Sequence, residues 1–157
     1  MRGLLLLLVL CSAVPAVAEG IFSRERLYLG GGIGSNQLPQ GGETKSEVQL
    51  LAGYRLGSLR GLDPQRFQLA VELGYMDTSD SNYDGGWITP VLSLGVAPQI
   101  DVLARMGADV GVHPDPMAGI GISYTIERNM AVRLEYVKRS TLPSVQFNVV
   151  YSPWFFR

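Results

Sequence analysis

The chain has 157 residues, a formal net charge of −1, a charged fraction of 17% and 19 glycines. The near-neutral charge gives no reason to expect nucleic acid or an anionic surface as a partner. Many glycines with few charges favour a β protein over a helical bundle. The single cysteine, Cys11, lies in the N-terminal segment, so the rest of the sequence contains no thiol and no disulfide.

The first 18 residues have the features of a secretory signal peptide. Arg2 precedes a short apolar run, and the segment ends in the motif A-V-A at 16–18. A basic start, an apolar stretch and an A-x-A motif are typical of cleaved export signals. We therefore predict a signal peptide at 1–18 and a single β-barrel domain at 19–157. An uncleaved membrane anchor is the alternative, but the run is short for a spanning helix.

From residue 27 onwards, large apolar residues alternate with small or polar residues at a period of two, which is typical of β-strands. In the seventh segment, Val132 and Leu134 point to one face and Arg133 and Glu135 to the other. The segments have about the length that a tilted strand needs to cross a bilayer. Eight segments show this alternation, in chain order 27–33, 47–56, 67–75, 87–96, 100–110, 118–124, 132–136 and 145–152.

The connections between these segments indicate strands that run up and down in sequence order. Tight turns are predicted at 97–99 and 127–129, which places them at one end of the molecule. Longer polar or Pro- and Gly-rich loops are predicted at the other end. The segment 57–65 is an exception, because it is long where a short turn is expected. The four predicted loops are 35–44, 77–86, 111–116 and 139–144.

The composition of the two faces decides which of them is the interior. One face is uniformly aliphatic, whereas the other contains glycine, serine, threonine and glutamine with scattered charges. Small residues suit the cramped interior of an eight-stranded barrel, and a water-facing surface would carry more charge. We therefore predict an all-β protein, an eight-stranded antiparallel up-and-down transmembrane β-barrel with a filled polar lumen.

Charges on the inner face are expected to pair across the lumen, because an isolated buried charge costs several kcal/mol. The predicted lumenal charge network comprises Glu47, Arg55, Glu72, Asp101, Arg105, Asp109, Arg133 and Glu135.

Aromatic residues near the strand ends support a membrane location. Two aromatic belts that flank an aliphatic band are typical of outer-membrane barrels, although packing in an ordinary core is the alternative. One belt is predicted at the end with the tight turns, and it consists of Tyr54, Phe67, Tyr124 and Tyr151. The other belt consists of Tyr75, Tyr136 and Phe147.

The run AGIGISYTIERNMAVRLEYV at 118–137 resembles the penultimate hairpin of OmpA-like outer-membrane barrels. The segments LLAGYRLG at 50–57 and LAVELGYMDTS at 69–79 are similar to the second and third strands of that family. The resemblance implies a lumenal salt-bridge network that includes Arg133 and Glu135. It also implies a location in the outer membrane of a Gram-negative bacterium and insertion by the outer-membrane assembly machinery.

The C-terminal region departs from the pattern of that family. Family barrels usually end in an aromatic residue, whereas Arg157 follows the aromatic pair here. The resemblance assigns the assembly signal to Tyr151, Phe155 and Phe156, and a signal weakened by Arg157 is the alternative. Larger members also carry a peptidoglycan-binding domain after the barrel, and we expect none in this chain.

The sequence contains no pattern that indicates an enzyme, a cofactor or a metal site. His113 is the only histidine, and a metal or acid–base role needs more partners than its surroundings offer. The segment D-S-N-Y-D-G at 80–85 matches the first half of a calcium loop, but Val91 stands where a bidentate glutamate belongs. We predict no enzymatic activity and no cofactor. Calcium at Asp80 and Asp84 stays an alternative to a structural turn.

Two classes of function remain. The first is an integral outer-membrane protein that contacts outer-membrane lipids and has a structural or surface-interaction role. Its lumen would be closed to bulk solutes or form a narrow ion pore, and loops 35–44 and 77–86 would be candidate sites for an extracellular ligand. The second is a soluble exported barrel that carries a hydrophobic ligand inside. The direction of Leu69, Val71 and Leu73 distinguishes the two.

Overall fold

Eight strands form one closed barrel. The computed structural model describes residues 23–37, 44–57, 66–78, 84–110, 114–139 and 142–153. Each strand pairs antiparallel with its neighbours in sequence, and β1 pairs with β8 to close the sheet. The predicted eight-stranded antiparallel up-and-down barrel is thus confirmed. After a 3₁₀ turn at Arg24–Arg26, the strands are β1 (Leu27–Gln37), β2 (Thr44–Gly57), β3 (Phe67–Thr78), β4 (Gly85–Ala97), β5 (Ile100–Asp109), β6 (Pro116–Glu127), β7 (Met130–Arg139) and β8 (Leu142–Tyr151).

The two ends of the barrel differ in their connections. Two-residue turns at 98–99 and 128–129 join β4 to β5 and β6 to β7, as predicted. We call this end, which also contains Leu27 and Tyr151, the turn end, and the opposite end the loop end. The predicted loop at 139–144 is wrong, because β7 continues to Arg139, which pairs with Leu142 of β8. Although the segment 139–144 is polar and contains a proline, the alternation of buried and exposed residues in β7 continues to Arg139.

Backbone irregularities concentrate at the turn end. The pairing register shifts between Gly95 and Ala97 in β4, and similar shifts lie near the turn end of β2 and β6. Gly57, beside the shift in β2, has a φ of 115°, which favours glycine. Bulges of this kind increase strand twist and are common at the rims of barrels. The bulges in β4 and β6 lie directly before the two-residue turns, where the chain reverses direction.

Burial alternates along most of the strands, and the face that carries the charged side chains is the buried one. In β7, Arg133, Glu135, Val137 and Arg139 are buried, while Leu134 is 56% exposed. Among the described residues, 23 large hydrophobic side chains are exposed, and nearly all of them lie on the outer face of a strand. None of the described residues forms a helix long and apolar enough to span a membrane. Among the described residues, the interior of the barrel therefore contains 15 buried polar or charged residues beside 10 buried hydrophobic ones.

Candidate functional site in the barrel lumen

Glu72 lies at the centre of a buried charge cluster in the lumen. Its carboxylate accepts hydrogen bonds from the Tyr28 hydroxyl at 2.6 Å and from Arg133 Nη1 at 2.5 Å. The other oxygen accepts from Arg105 Nη2 at 3.1 Å, and the same nitrogen contacts Glu135 Oε2 at 2.5 Å. All five residues lie on inward positions of β1, β3, β5 and β7. The cluster thus holds two carboxylates and two guanidinium groups in mutual contact.

The buried charges are balanced in sign. Six charged residues are buried in the part of the chain that the structure describes, three acidic and three basic: Glu47, Glu72, Glu135, Arg105, Arg133 and Arg139. Removing an ion from water costs several kcal/mol even after relaxation, so such groups are tolerated when they are paired and hydrogen-bonded. The formal charges of these six buried residues therefore sum to zero.

Two aromatic rings support the arginines of this cluster. The Arg105 guanidinium lies 5.4 Å from the centre of a Trp87 ring, and the Arg133 guanidinium lies 5.4 Å from the centre of the Tyr28 ring. These are cation–π distances. Both aromatics lie within the predicted strand segments 27–33 and 87–96, but the predicted lumenal network contains only charged residues. The available clue was the alternation of Tyr28 with Leu27 and Leu29, which puts the Tyr28 ring on the same face as the charged side chains.

Glycines on neighbouring strands make room for these rings. Gly53 pairs with Tyr28, and Gly74 pairs with Trp87. A Cβ atom at Gly53 would lie 2.1 Å from Tyr28 Cζ, and one at Gly74 would lie 2.5 Å from Trp87 Cζ2. Each ring therefore lies flat across a strand that has no side chain at the point of contact. Gly53 and Gly74 consequently determine where the rings of Tyr28 and Trp87 can lie beside the charge cluster.

Gly53→Ala is expected to lower the free energy of unfolding by about 1–3 kcal/mol, because the added methyl group displaces the Tyr28 ring from a packed lumen. Urea-driven unfolding in lipid vesicles, followed by gel mobility, measures this change. Gly31→Ala is the matched control, since the nearest atom to its Cβ is 3.3 Å away in the flexible Leu50 side chain. We expect a change below about 1 kcal/mol there. Equal effects of the two substitutions would contradict the role of Gly53.

The loop-end half of the lumen is filled by a second set of polar contacts. Ser144 donates to Glu47 at 2.6 Å, and Gln49 donates to Asn148 at 2.7 Å. Arg139 donates through Nε to the sulfur of Met117 at 3.4 Å, and through Nη1 to the sulfur of Met76. The predicted lumenal network omits Arg139, because this residue begins the predicted loop at 139–144. The period of two from Arg133 through Glu135 was the clue that placed it inside.

A cavity of about 230 Å³ occupies the turn-end half of the lumen. It is lined by Tyr28 and Arg133 and, at the turn end, by residues 127–130 at and beside the β6–β7 turn. Arg55 and Asp101 line its walls, and Arg55 Nη2 donates to Ser152 Oγ at 3.0 Å. This half of the lumen is therefore open and polar, whereas the middle is filled by side chains.

The eight charged residues predicted for the lumen do not form one network in the structure. Four of them form the central cluster around Glu72, and Glu47 contacts Ser144 nearer the loop end. Arg55 and Asp101 line the turn-end cavity, and Asp109 is half-buried at the end of β5. The structure thus brings half of the predicted set together.

Six of the seven predicted aromatic residues lie towards the two ends of the outer face. Phe147 does not, because it lies in the middle of β8 and pairs with Ile33 and Leu134, so its predicted place in a belt is wrong. Tyr54 and Phe67 are half-buried, and the others are exposed by 39–48%: Tyr75, Tyr124, Tyr136, Phe147 and Tyr151. At the turn end, the Tyr54 hydroxyl accepts from the Ser23 amide at 3.3 Å and the Tyr124 hydroxyl donates to Gln99 at 3.0 Å.

Several predicted features lie outside the described residues. These are the signal peptide at 1–18, Phe155, Phe156, His113, Asp80 and the parts 38–43 and 79–83 of two predicted loops. The predicted bounds of those loops, 35–44 and 77–86, are wrong, because β1 continues to Gln37, β2 begins at Thr44, β3 continues to Thr78 and β4 begins at Gly85. Asp84 is described, and its Oδ1 accepts from the Thr78 amide at 2.7 Å and from the Thr78 hydroxyl at 2.9 Å.

Within the described ranges, no group of three or more His, Cys, Asp or Glu side chains could hold a metal ion.

Comparison with known proteins gives a likeness in fold. No family model and no curated protein matches the chain. A de novo designed transmembrane β-barrel is similar with a TM-score of 0.60 at 20% identity, over 83% of this chain and 97% of the designed one. The crystal structure of Ail, the attachment invasion locus protein of Yersinia pestis, is similar with a TM-score of 0.51 at 9% identity, over 79% and 94% of the two chains. The chain therefore has the fold of small transmembrane β-barrels.

Proposed function

We propose that this chain is an integral outer-membrane protein with a structural or surface-interaction role and a lumen closed to bulk solutes. The observation that carries the proposal is the inverted distribution of polarity. Large apolar side chains cover the outside of the strands, and the buried interior is rich in charged and amide side chains. Soluble monomers rarely expose contiguous apolar patches beyond a few hundred Å². Lipid is the solvent that suits such an outer surface.

A soluble carrier of hydrophobic ligands would need the reverse arrangement. Its lumen would be apolar, whereas Arg105, Arg133 and Glu135 are buried here and Leu73 is 47% exposed. Leu69 and Val71, on the same outer face as Leu73, are half-buried. The orientation of β3 and the content of the lumen thus favour the membrane protein over the carrier.

Fully buried side chains in the middle of the lumen support its closure to bulk solutes. Trp87, Glu72, Gln49 and Gln146 all expose 2% or less of their surface, which means that side chains fill the space between the strands. Eight strands give an interior only wide enough for side chains. We therefore expect no bulk diffusion through the barrel.

We further propose that the turn end faces the periplasm and the loop end faces outwards, after export directed by residues 1–18. Loops 35–44 and 77–86 would then present the surface available to an extracellular ligand. Outer-membrane lipids would cover the strands, and the assembly machinery would read Tyr151 with Phe155 and Phe156. Ail, which shares the fold, is named as an attachment invasion locus protein, and attachment is one form of the surface-interaction role proposed for this chain.

Expression of the full chain in a Gram-negative host tests this proposal. We expect the protein to remain in the outer-membrane fraction after a carbonate wash, because its apolar surface requires lipid or detergent. We also expect its gel mobility to change on boiling, because a closed sheet resists detergent until it is heated. Recovery from the periplasm without detergent would contradict the proposal. In that case, lipid-binding assays on the soluble protein would follow.

A further inference from the structure

We propose that the turn-end cavity binds one uncharged sugar unit, either a free monosaccharide or the terminal unit of a glycan. This inference goes beyond the proposed function and does not depend on it, because the cavity lies inside the barrel whether lipid or water surrounds the strands. The cavity combines unpaired polar side chains, buried apolar side chains and a volume that admits one sugar ring.

Polar side chains line the cavity without bonding to one another. In the middle of the lumen, by contrast, the Gln49 amide donates to both Gln146 and Asn148. Hydroxyl and carboxamide groups donate and accept hydrogen bonds, whereas a carboxylate only accepts them. A sugar hydroxyl also donates and accepts, so it can bond to any of these groups. Within the part of the chain that the structure describes, six lining side chains make no hydrogen bond: Gln68, Ser93, Asp101, Ser123, Thr125 and Asn129.

Four of these side chains lie in neighbouring pairs on the barrel wall. Gln68 of β3 pairs with Ser93 of β4, and Asp101 of β5 pairs with Ser123 of β6. The Cβ atoms of directly opposite residues on antiparallel strands are about 4.5–5.5 Å apart. The two side chains of each pair can therefore bond to the same small ligand.

The cavity is accessible from the turn end. Gln68 lines the lumen and is nevertheless exposed, which means that solvent reaches its side chain through the cavity. Ser93 and Asp101 are half-buried, and Ser123 is only 5% exposed. A ligand that enters at the turn end and reaches Ser123 is thus largely removed from bulk water.

The charges of the lining favour an uncharged ligand. Its acidic residues are Asp101 and Glu127, which repel an anion. Its basic residues are Arg55, Arg128 and Arg133, which repel a cation. In a partly buried cavity such repulsion is stronger than in water. A neutral ligand avoids both costs.

Apolar contacts and volume restrict the ligand to a single sugar ring. Three apolar side chains in the lining, Ala70, Leu103 and Val150, are buried. A sugar ring has C–H groups between its hydroxyls, and these can pack against apolar side chains. The cavity volume of about 230 Å³ corresponds to roughly seven or eight waters in the liquid, at about 30 Å³ each. This space admits one sugar ring, whereas an oligosaccharide would extend out of the turn end.

Nuclear magnetic resonance of the ¹⁵N-labelled full chain tests the site in phosphocholine detergent micelles, which contain no sugar. Glucose, galactose and N-acetylglucosamine are titrated separately, and glycerol is the control for a hydroxyl compound without a ring. We expect at least one sugar to cause saturable shifts of the Ser93, Ser123 and Asn129 backbone amide signals, and we expect none with glycerol.

The methyl glycoside of the sugar that binds distinguishes the two sources of the ligand. Its methyl group occupies the position of the glycosidic bond in a glycan. Binding of the glycoside therefore indicates the terminal unit of a glycan, and binding of the free sugar alone indicates a monosaccharide.

Two variants test the polar contacts. Asp101→Asn is expected to weaken sugar binding by about tenfold or more, the loss typical of a hydrogen bond to a charged acceptor. Ser93→Ala is expected to weaken it by about fivefold, the loss of one neutral hydrogen bond. Asp77→Asn and Ser46→Ala are the matched controls, because they remove the same groups from exposed positions outside the cavity. Both controls should bind the sugar like the parent.

The mobility shift on boiling shows whether each variant is folded. The proposal is overturned if no sugar causes a saturable shift, or if glycerol causes the same shifts. It is also overturned if the Asp101 and Ser93 variants bind the sugar like their controls.

Discussion

Glu72→Gln is expected to lower the free energy of unfolding by about 3–5 kcal/mol, the cost of removing one partner from a buried ion pair. Glu72 is fully buried, and its two oxygens accept from Tyr28, Arg105 and Arg133. Glutamine has nearly the same shape, so packing is preserved and the loss measures the charge. After the substitution, two arginines in the cluster share the single carboxylate of Glu135.

The measurement is urea-driven unfolding in lipid vesicles, followed by tryptophan fluorescence and gel mobility. Asp77→Asn is the matched control, since it removes an acidic charge from the same strand at an exposed position. Exposed substitutions usually change stability by no more than about 0.5 kcal/mol. If Glu72→Gln were as mild as Asp77→Asn, the cluster would not stabilise the barrel.

A double-mutant cycle separates the pairwise contact from the cost of an orphaned charge. Arg133→Met alone should be destabilising, because it leaves Glu72 with less positive charge around it. Combined with Glu72→Gln, it should cost less than the sum of the two single changes, since neither partner is then left unpaired. Strictly additive losses would indicate that Glu72 and Arg133 act independently, in spite of their 2.5 Å contact.

The alternation of residue types predicts the fold and the face of each side chain, but not which inward residues meet. Arg133 and Glu135 are inward because they alternate with Val132 and Leu134. Glu72 and Arg133 are 61 residues apart and come from β3 and β7, which are not neighbours in the sheet. Their contact depends on strand tilt and on the register of every pair between them. A period of two contains no information on either quantity.

Local composition misled the sequence reading in the segment 139–144. Ser140, Thr141 and Pro143 are typical of loops, yet Lys138 pairs with Pro143 and Arg139 with Leu142. Tertiary pairing in a closed barrel overrides weak local preferences, because an unpaired strand end would leave backbone groups without partners. The turn-end cavity was also beyond sequence reasoning, since it depends on which lumenal positions carry small side chains at the same height.

Ile122→Arg is expected to lower the free energy of unfolding in lipid vesicles by about 2–4 kcal/mol, the cost of an arginine at the midplane of a bilayer. Ile122 is 54% exposed, lies near the middle of β6 and pairs with Val102 and Leu134 on the same outer face. Ile100→Arg is the matched control, because Ile100 is 37% exposed on the outer face but begins β5 at the turn end. Near the interface the same change costs about 0–1 kcal/mol.

The difference between these two variants decides what solvent surrounds the barrel. In water, both isoleucines are surface residues, and an arginine at either position should change stability by about 0.5 kcal/mol or less. In lipid, the cost depends on depth, since arginine at the centre must keep its charge away from water. If both variants changed the free energy of unfolding in vesicles by an equal and small amount, a transmembrane barrel would be contradicted. A large loss of stability for Ile122→Arg alone would instead require that lipid surrounds the middle of the barrel. The comparison needs no knowledge of a ligand, because both variants change only the contact between the strands and their surroundings.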